Sequence, residues 1–578
     1  MSSRILVAST ALALVLAGCA APGAHVPASA QVPAHAPVEI NLVAINDFHG
    51  NLEPSNYNYK PAGAEKAEKI QAGGIPTLGG ALDAWRKEDK DLLFVAAGDL
   101  VGASPALSSM WADEPSIEAM NRMGLVASAL GNHEFDQGPK ELLRQQNGGC
   151  DSPRPAKACK LAPDFKGAQF RYLAANVIDQ RTDKTLVQPW RVVEVKGVKV
   201  GFVGAVLQGV PSVAVGSAIK GLTFLDEADS INKALPAMRA AGAQVFVVLI
   251  HEGGHTTDAF DQPDCANLKG AIVDIVKKLD PAIRLVISGH SHTGYLCKVD
   301  GRVVTQADAM GHLMTRIRMQ VDPATGRVED IAVRNVVMDP TKIAPDPQLA
   351  AYLADVHAHS EAALAKPVAH IAAPVLPRKG SPAGEMPLGD VIADSAVAAT
   401  RDQGVQIGFM NPGGIRRDLD ASGGVVSYGQ AQAVLPFGNT LVVFDLTGAQ
   451  LVRALEEQWD RPASSEPTIL QVSQGLSYAW DASQPAGKRI VPGSVKVNGV
   501  PVDADKTYRV VANNFLAEGG DNIPSFGKGV NRVATSIVDL DALIAWLKAH
   551  PETGAAGTSS GAGAALAPQA QPRIRKVN

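Results

Sequence analysis

Several short apolar runs in the first half of this 578-residue chain end in residues able to hold a metal ion. Asp47-Phe48-His49 follows EINLVAI (39–45), Asp99 follows DLLFVAAG (91–98), His251 follows QVFVVLI (244–250), and His290-Ser291-His292 follows RLVISG (284–289). Gly131-Asn132-His133-Glu134-Phe135-Asp136 comes after the apolar VASAL. Carboxylate oxygens and imidazole nitrogens are the donors that ions such as zinc and manganese take. Two such ions sharing a carboxylate, about 3.5–4 Å apart, acidify water and neutralise phosphoryl oxygens during in-line displacement. A lone Asp-x-His is more often a turn or a capped helix start, so the inference rests on the pieces occurring together.

To converge, these residues need elements that bring distant segments to one place. The apolar runs, with KVGFVGAV (199–206), alternate with helical patterns at 75–88 and 270–279. That reads as an α/β sandwich of largely buried strands. Strand carboxyl ends in an open α/β sheet face a common crevice. The first lobe is expected over 38–340, with 341–366 linking it through a helix to a second lobe at 367–550. The second lobe has its own strands (LVVFDL, YRVVANN) and helical patterns at 388–400, 447–457 and 537–549. The 551–578 segment reads as a flexible Gly/Ala-rich tail, its final RIRKVN being either solvated or a last strand returning to the second lobe.

Composition bounds the rest. Gly and Pro, 55 and 38 residues, lie below the level of a low-complexity chain, so the chain is globular. A net charge of −5 without a basic block excludes polymeric nucleic acid as an expected partner; the oligomeric state is not fixed by the sequence. Residues 1–18 read as a leader, with Arg4 before an apolar run too short to span a bilayer. Leu16-Ala17-Gly18-Cys19 resembles a bacterial lipobox, which implies lipidation of Cys19 and a membrane anchor through it. The 19–37 stretch is an Ala/Pro-rich tether. Ala20 after the cysteine favours the outer membrane by analogy; a soluble periplasmic protein is the alternative. Four further cysteines allow three pairings, with proximity favouring Cys150 with Cys159 and Cys265 with Cys297; a zinc cluster is the rival.

The order DFHGN, GD, GNHEFD, H, GHSH resembles the calcineurin-like metallophosphoesterases, and specifically the bacterial and animal 5′-nucleotidases. The resemblance implies a four-layer αββα sandwich followed by an α/β substrate-binding domain. It implies that two divalent ions, zinc or manganese, are cofactors. Asp47, His49, Asp99 and His292 would hold one ion, and Asp99, Asn132, His251 and His290 the other, with Asp99 bridging. His133 would stabilise the transition state and protonate the leaving 5′-oxygen, its tautomer fixed by Asp136. His255 and His312 receive no role and read as structural.

The second lobe supplies the substrate class. Asn411-Pro412-Gly413-Gly414-Ile415-Arg416, Leu435-Pro436-Phe437-Gly438 and Asn514-Phe515-Leu516-Ala517-Glu518-Gly519-Gly520-Asp521 resemble the family's NxGGIR, LPFG and NFLAxGGD motifs. They imply Phe437 and Phe515 clamping a base, Asp521 accepting from the ribose, Asn411 on the nucleoside, Gly414 admitting close backbone approach, and Arg416 on the phosphate. Relatives often carry further arginines before a Leu-Gly-[Asn/Asp] helix start. Here Arg378 and Lys379 are the nearest cations, and Glu385 and Asp390 are expected to cap or order that start.

The expected activity is hydrolysis of nucleoside 5′-monophosphates by hydroxide activated at the metals, outside the cytoplasm. Alternatives are UDP-sugar or dinucleotide pyrophosphatase, 2′,3′-cyclic-nucleotide phosphodiesterase, and a non-enzymatic nucleotide-binding surface lipoprotein. The related sulfur-oxidation thiosulfohydrolase is disfavoured by the Phe437/Phe515/Asp521 set.

Overall fold

The computed structural model describes residues 36–460, 467–553 and 572–578. The expected leader, Cys19 and nearly all of the tether lie outside the described residues, as does 554–571 of the expected tail.

Apolar runs without polar alternation bury both faces of a strand, and the first lobe is built from them. Val38–Ile45 runs parallel to Leu93–Ala96, which runs parallel to Leu125–Ala129. In a second sheet Val198–Val206, Val245–His251 and Ile283–Ser288 are also mutually parallel. Each sheet has six strands: a further parallel strand, Arg171–Leu173, and the antiparallel Leu313–Val321 and Val328–Val337 complete the first, while the parallel Arg302–Ala307 and the antiparallel Trp190–Val195 and Gly294–Val299 complete the second.

The sheets share a core in which Ile40, Leu42, Val95, Phe202, Val247 and Leu285 are buried together. Ile75–Glu88 and Glu114–Arg122 contribute to the core beyond the first sheet, Glu227–Ala240 and Ala271–Lys278 to that beyond the second. These are the four αββα layers the resemblance implies.

The linker helix is Pro347–Leu364, started by Asp346, whose carboxylate accepts from the N–H groups of Gln348 and Leu349 at 2.7 and 3.1 Å. It lies tightly on Ile75–Glu88, where a Cβ at Gly79 would collide with the Leu349 side chain, and Ser360 Oγ also accepts from Trp111 Nε1, elsewhere in the first lobe, at 2.8 Å. The linker is therefore docked on the first lobe.

In the second lobe Gln471–Val472, Ile407–Met410, Thr507–Asn513, Thr440–Thr447 and Val530–Val538 form a five-stranded sheet. Pro387–Ala399, Gly448–Glu457 and Asp539–Ala549 accompany it. The end of the chain differs from a flexible tail. Ile574–Lys576 is a strand parallel to Leu476–Trp480. Arg573, 2% exposed, donates to Asp394 at 2.7 and 3.1 Å.

Glu385 accepts the backbone N–H groups of Arg573 and Ile574 at 3.1 and 3.0 Å, and Asp390 lies 3.7 Å from the Arg573 guanidinium. These carboxylates thus receive the returning chain, which corrects their expected role at the helix start. A buried guanidinium and buried carboxylates need one another once water is excluded.

Candidate active site

The expected donors gather at the carboxyl ends of the central strands. Asp47 Oδ1 lies 3.2 Å from His292 Nε2 and 3.9 Å from the Nε2 atoms of His49 and His251. Asp99 Oδ2 lies 3.0 Å from His251 Nε2 and 3.7 Å from His49 Nε2. Asp47, His49 and His292 therefore make one set of mutually close donor atoms, while Asp47, Asp99 and His251 make another. The second set contains Asp47 where the sequence pattern places Asn132 and His290. Those two flank it: the His290 ring is 5.3 Å from that of His251, and both Asn132 and His290 line the same crevice.

The donor set fits divalent cations on the structure's own terms. His251 Nδ1 bonds to the Ala97 carbonyl at 2.8 Å, which directs the Nε2 lone pair at the carboxylates. Asn132 Oδ1 is buried without a hydrogen-bond partner, and His251 Nε2 faces the Asp99 carboxylate at 3.0 Å. Burial raises the Asp47 carboxyl pKa, yet His251 and His292 outweigh it and bring it down to about 2; Asp99 is held well below its ordinary value by His251 and His133 against the same burial. Fully buried carboxylates that stay ionised only because positive charge is beside them form a place for cations, which bound metal ions would supply in place of the imidazole protons.

Backbone strain concentrates here. Asp47, His49, Asp99, His290 and His292 all have left-handed backbones, with φ of 50°, 46°, 52°, 74° and 50°. Non-glycine residues occupy that region at a cost and persist where the surroundings over-determine them. Two such supports escaped the sequence reading. Glu134, 3% exposed, accepts from the N–H groups of Asp99, Leu100 and Gly131 at 3.0, 2.8 and 2.6 Å, locking together the loops that carry Asp99 and Asn132. Asn46 Nδ2 donates to Asp47 Oδ2 at 2.7 Å, and Asn46 Oδ1 accepts from Ala307 N–H. Adjacency to the donors was their sequence signal.

His133 Nδ1 lies 2.9 and 3.1 Å from the Asp136 carboxylate oxygens. Burial lowers the His133 pKa, but Asp136 and Asp99 outweigh it, so the protonated ring is favoured above its ordinary range. His312 is buried, its Nε2 2.7 Å from Ser55 Oγ, and His255 is exposed with Nδ1 3.1 Å from Thr293 Oγ1.

The second-lobe residues face the same crevice, a cavity of about 670 Å³ lined by Asp99, Asn132 and His133 on one side and by Asn411, Gly414, Arg416, Phe437, Phe515 and Asp521 on the other. The Phe437 ring stacks on His133 at 5.5 Å, and Arg416 Cζ lies 5.9 Å from the Phe437 centroid. Burial and the neighbouring Arg378 lower the Arg416 pKa, against the attraction of Asp99, Asp136 and Asp47. Arg378 donates to the Arg416 carbonyl at 3.2 Å, so this cation sits beside Arg416 as a brace on its backbone. Asn411 Oδ1 accepts from Asn513 Nδ2 at 3.0 Å, a Cβ at Gly414 would meet Asn411 Oδ1 at 2.9 Å, and Asp521 is left-handed with φ of 56°.

Further bonds join the lobes: Arg417 Nη2 to Asn51 Oδ1 at 2.7 Å, and Gln432 Nε2 to Ser109 Oγ at 2.6 Å. The cysteines pair as proximity favours, Cys150 with Cys159 and Cys265 with Cys297.

Known proteins share this arrangement. A family model described as calcineurin-like phosphoesterase matches residues 40–294, and one described as 5′-nucleotidase, C-terminal domain, matches residues 367–528. Cell wall protein Lmo0130 of Listeria monocytogenes is 30% identical, across 89% of this chain and 68% of its own length. Endonuclease YhcR of Bacillus subtilis is 28% identical across 89% of this chain but 40% of its own. This chain therefore spans part of each of those relatives.

The crystal structure of a 5′-nucleotidase precursor from Thermus thermophilus matches 94% of this chain and 100% of its own, with a TM-score of 0.73 and 29% identity. With a calcineurin-like lobe carrying the buried donors and a 5′-nucleotidase C-terminal lobe completing the crevice, this chain belongs to the 5′-nucleotidase family of metal-dependent phosphoesterases.

Proposed function

We propose that the protein hydrolyses nucleoside 5′-monophosphates to nucleoside and phosphate outside the cytoplasm. The observation that carries this reading is the single crevice in which buried carboxylates and imidazoles face two phenylalanines, an arginine and Asp521. Asp47, His49, Asp99 and His292 would hold one divalent cation and Asp99, Asn132, His251 and His290 a second. When bound, such ions acidify water and offset charge on a phosphoryl group.

The remaining steps belong to the chain's own groups. Arg416 holds the phosphoryl oxygens, its planar fork suited to two at once. His133 gives a proton to the leaving 5′-oxygen from Nε2, because Asp136 holds Nδ1. Phe437 and Phe515 offer ring faces to the base, a contact of about 1–3 kcal/mol that tolerates different bases. Asp521 accepts from the ribose hydroxyls and Asn411 meets the nucleoside. The location is supported by two disulfides, by the leader-like and lipobox-like start of the sequence, and by the cell-wall description of Lmo0130. Among the described residues, no helix is long and apolar enough to cross a membrane. The lipobox-like Leu16-Ala17-Gly18-Cys19 supports attachment through a lipid on Cys19.

Purified protein is offered AMP, UDP-glucose, NAD, 2′,3′-cyclic AMP and single-stranded DNA, each with manganese, zinc or a chelator. Adenosine and phosphate from AMP, abolished by the chelator, is the expected result. Intact AMP beside cleavage of any of the other four overturns the monophosphate reading.

A further inference from the structure

The nucleoside end of the crevice is not made by the second lobe alone. A first-lobe segment, 213–218, contributes Val213, Ala214, Val215, Ser217 and Ala218 to its lining. The short helix Val210–Val213 that leads into this segment packs against Gly520–Asn522, the turn that carries Asp521.

Glu518 fastens the two together. Its Oε2 accepts the Ser217 backbone N–H at 2.9 Å and its Oε1 accepts the Ser217 hydroxyl at 3.2 Å. The approach is close enough that a Cβ at Gly216 would lie 3.2 Å from Glu518 Oε2. Glu518 is exposed and occupies the variable position of the NFLAxGGD pattern. A carboxylate accepting both bonds from one residue makes a directional, charge-assisted link.

We propose that Glu518 and Ser217 clasp the lobes so that segment 213–218 becomes a specificity-determining wall of the nucleoside pocket. The inference rests on the nucleotide reading above and deepens it. Val213, Ala214 and Val215 are small and apolar, so the wall excludes water beside a base and offers its side chains no hydrogen bond that would single out one base. Glu518 is a positioning residue: it acts on the substrate through the wall. A phosphate ester without a nucleoside gains nothing from the wall, and that contrast separates the clasp from general support of the fold.

The test compares AMP with p-nitrophenyl phosphate on the metal-loaded full chain, in wild type, Glu518→Ala, Glu518→Gln, Ser217→Pro and the Glu518→Ala/Ser217→Pro double variant. Glu518→Ala is expected to raise the KM for AMP about fivefold, as loss of an exposed charge-assisted link would, with kcat and both constants for p-nitrophenyl phosphate unchanged. Glu518→Gln, which keeps an acceptor oxygen, should recover part of the affinity. The double variant should be no worse than either single variant, because both remove the same link.

A wild type that favours AMP while Glu518→Ala leaves its KM unchanged overturns the clasp and spares the nucleotide reading. Additive losses in the double variant also overturn the clasp, since they place the Glu518 effect on its own loop. A wild type with no preference for AMP over p-nitrophenyl phosphate overturns both.

Discussion

The two walls of the crevice are built by different physics. In the first lobe Asp47, Asp99 and His251 are at most 1% exposed, and their loops are held by groups of the same lobe, Asn46, Glu134 and the Ala97 carbonyl. In the second lobe Phe515 and Asp521 are half-buried, Phe437 leans on a histidine of the other lobe, and Glu518 reaches across to Ser217. The donor cluster is therefore formed before substrate arrives, whereas the proposed nucleoside pocket depends on how the lobes meet. Changes in the first lobe should act on chemistry, and changes in the second on recognition.

Asp99→Ala would break that division most severely. Removing the carboxylate proposed to serve both ions should cost about a thousandfold or more in kcat and reduce metal uptake, read by turnover and elemental analysis. Retained uptake and turnover would remove Asp99 from the centre. His133→Ala should lower kcat for AMP by about 10²–10⁴ with metal content unchanged, which separates proton donation from ion binding.

On the other side, Phe515→Ala should raise the KM for AMP about tenfold and leave p-nitrophenyl phosphate unaffected. An equal loss on both esters would place Phe515 in the catalytic half. Arg573→Ala sharpens the comparison from outside the crevice. It strands Asp394 and Asp390 in the second-lobe interior and should lower unfolding stability by about 3–5 kcal/mol, while folded enzyme keeps its kcat; denaturant unfolding alongside activity reads both.

The central parallel strands were legible because strands buried on both faces read as continuous apolar runs; KVGFVGAV and QVFVVLI become Val198–Val206 and Val245–His251. The antiparallel strands Leu313–Val321 and Val328–Val337 were not, since LMTRIRMQV and VEDIAVRNVV mix charges into half-exposed positions. Donor identity was carried by motif order, yet the left-handed backbones of Asp47, His49 and Asp99 leave no mark on composition.

Glu134 looked like a motif companion and becomes visible as a support only when Asp99, Leu100 and Gly131 are brought to it by the fold. The destination of Glu385 and Asp390 was hidden for the same reason: their partner, Arg573, is nearly two hundred residues away in sequence.

The buried carboxylates and imidazoles of the first lobe are proposed to form a two-cation centre. Its most direct test is the number of divalent ions retained per chain after stripping with a chelator, reloading with manganese or zinc, and removing free metal. About two per wild-type chain is the expected result, falling in Asp99→Ala. Folded wild-type protein that retains none would contradict it.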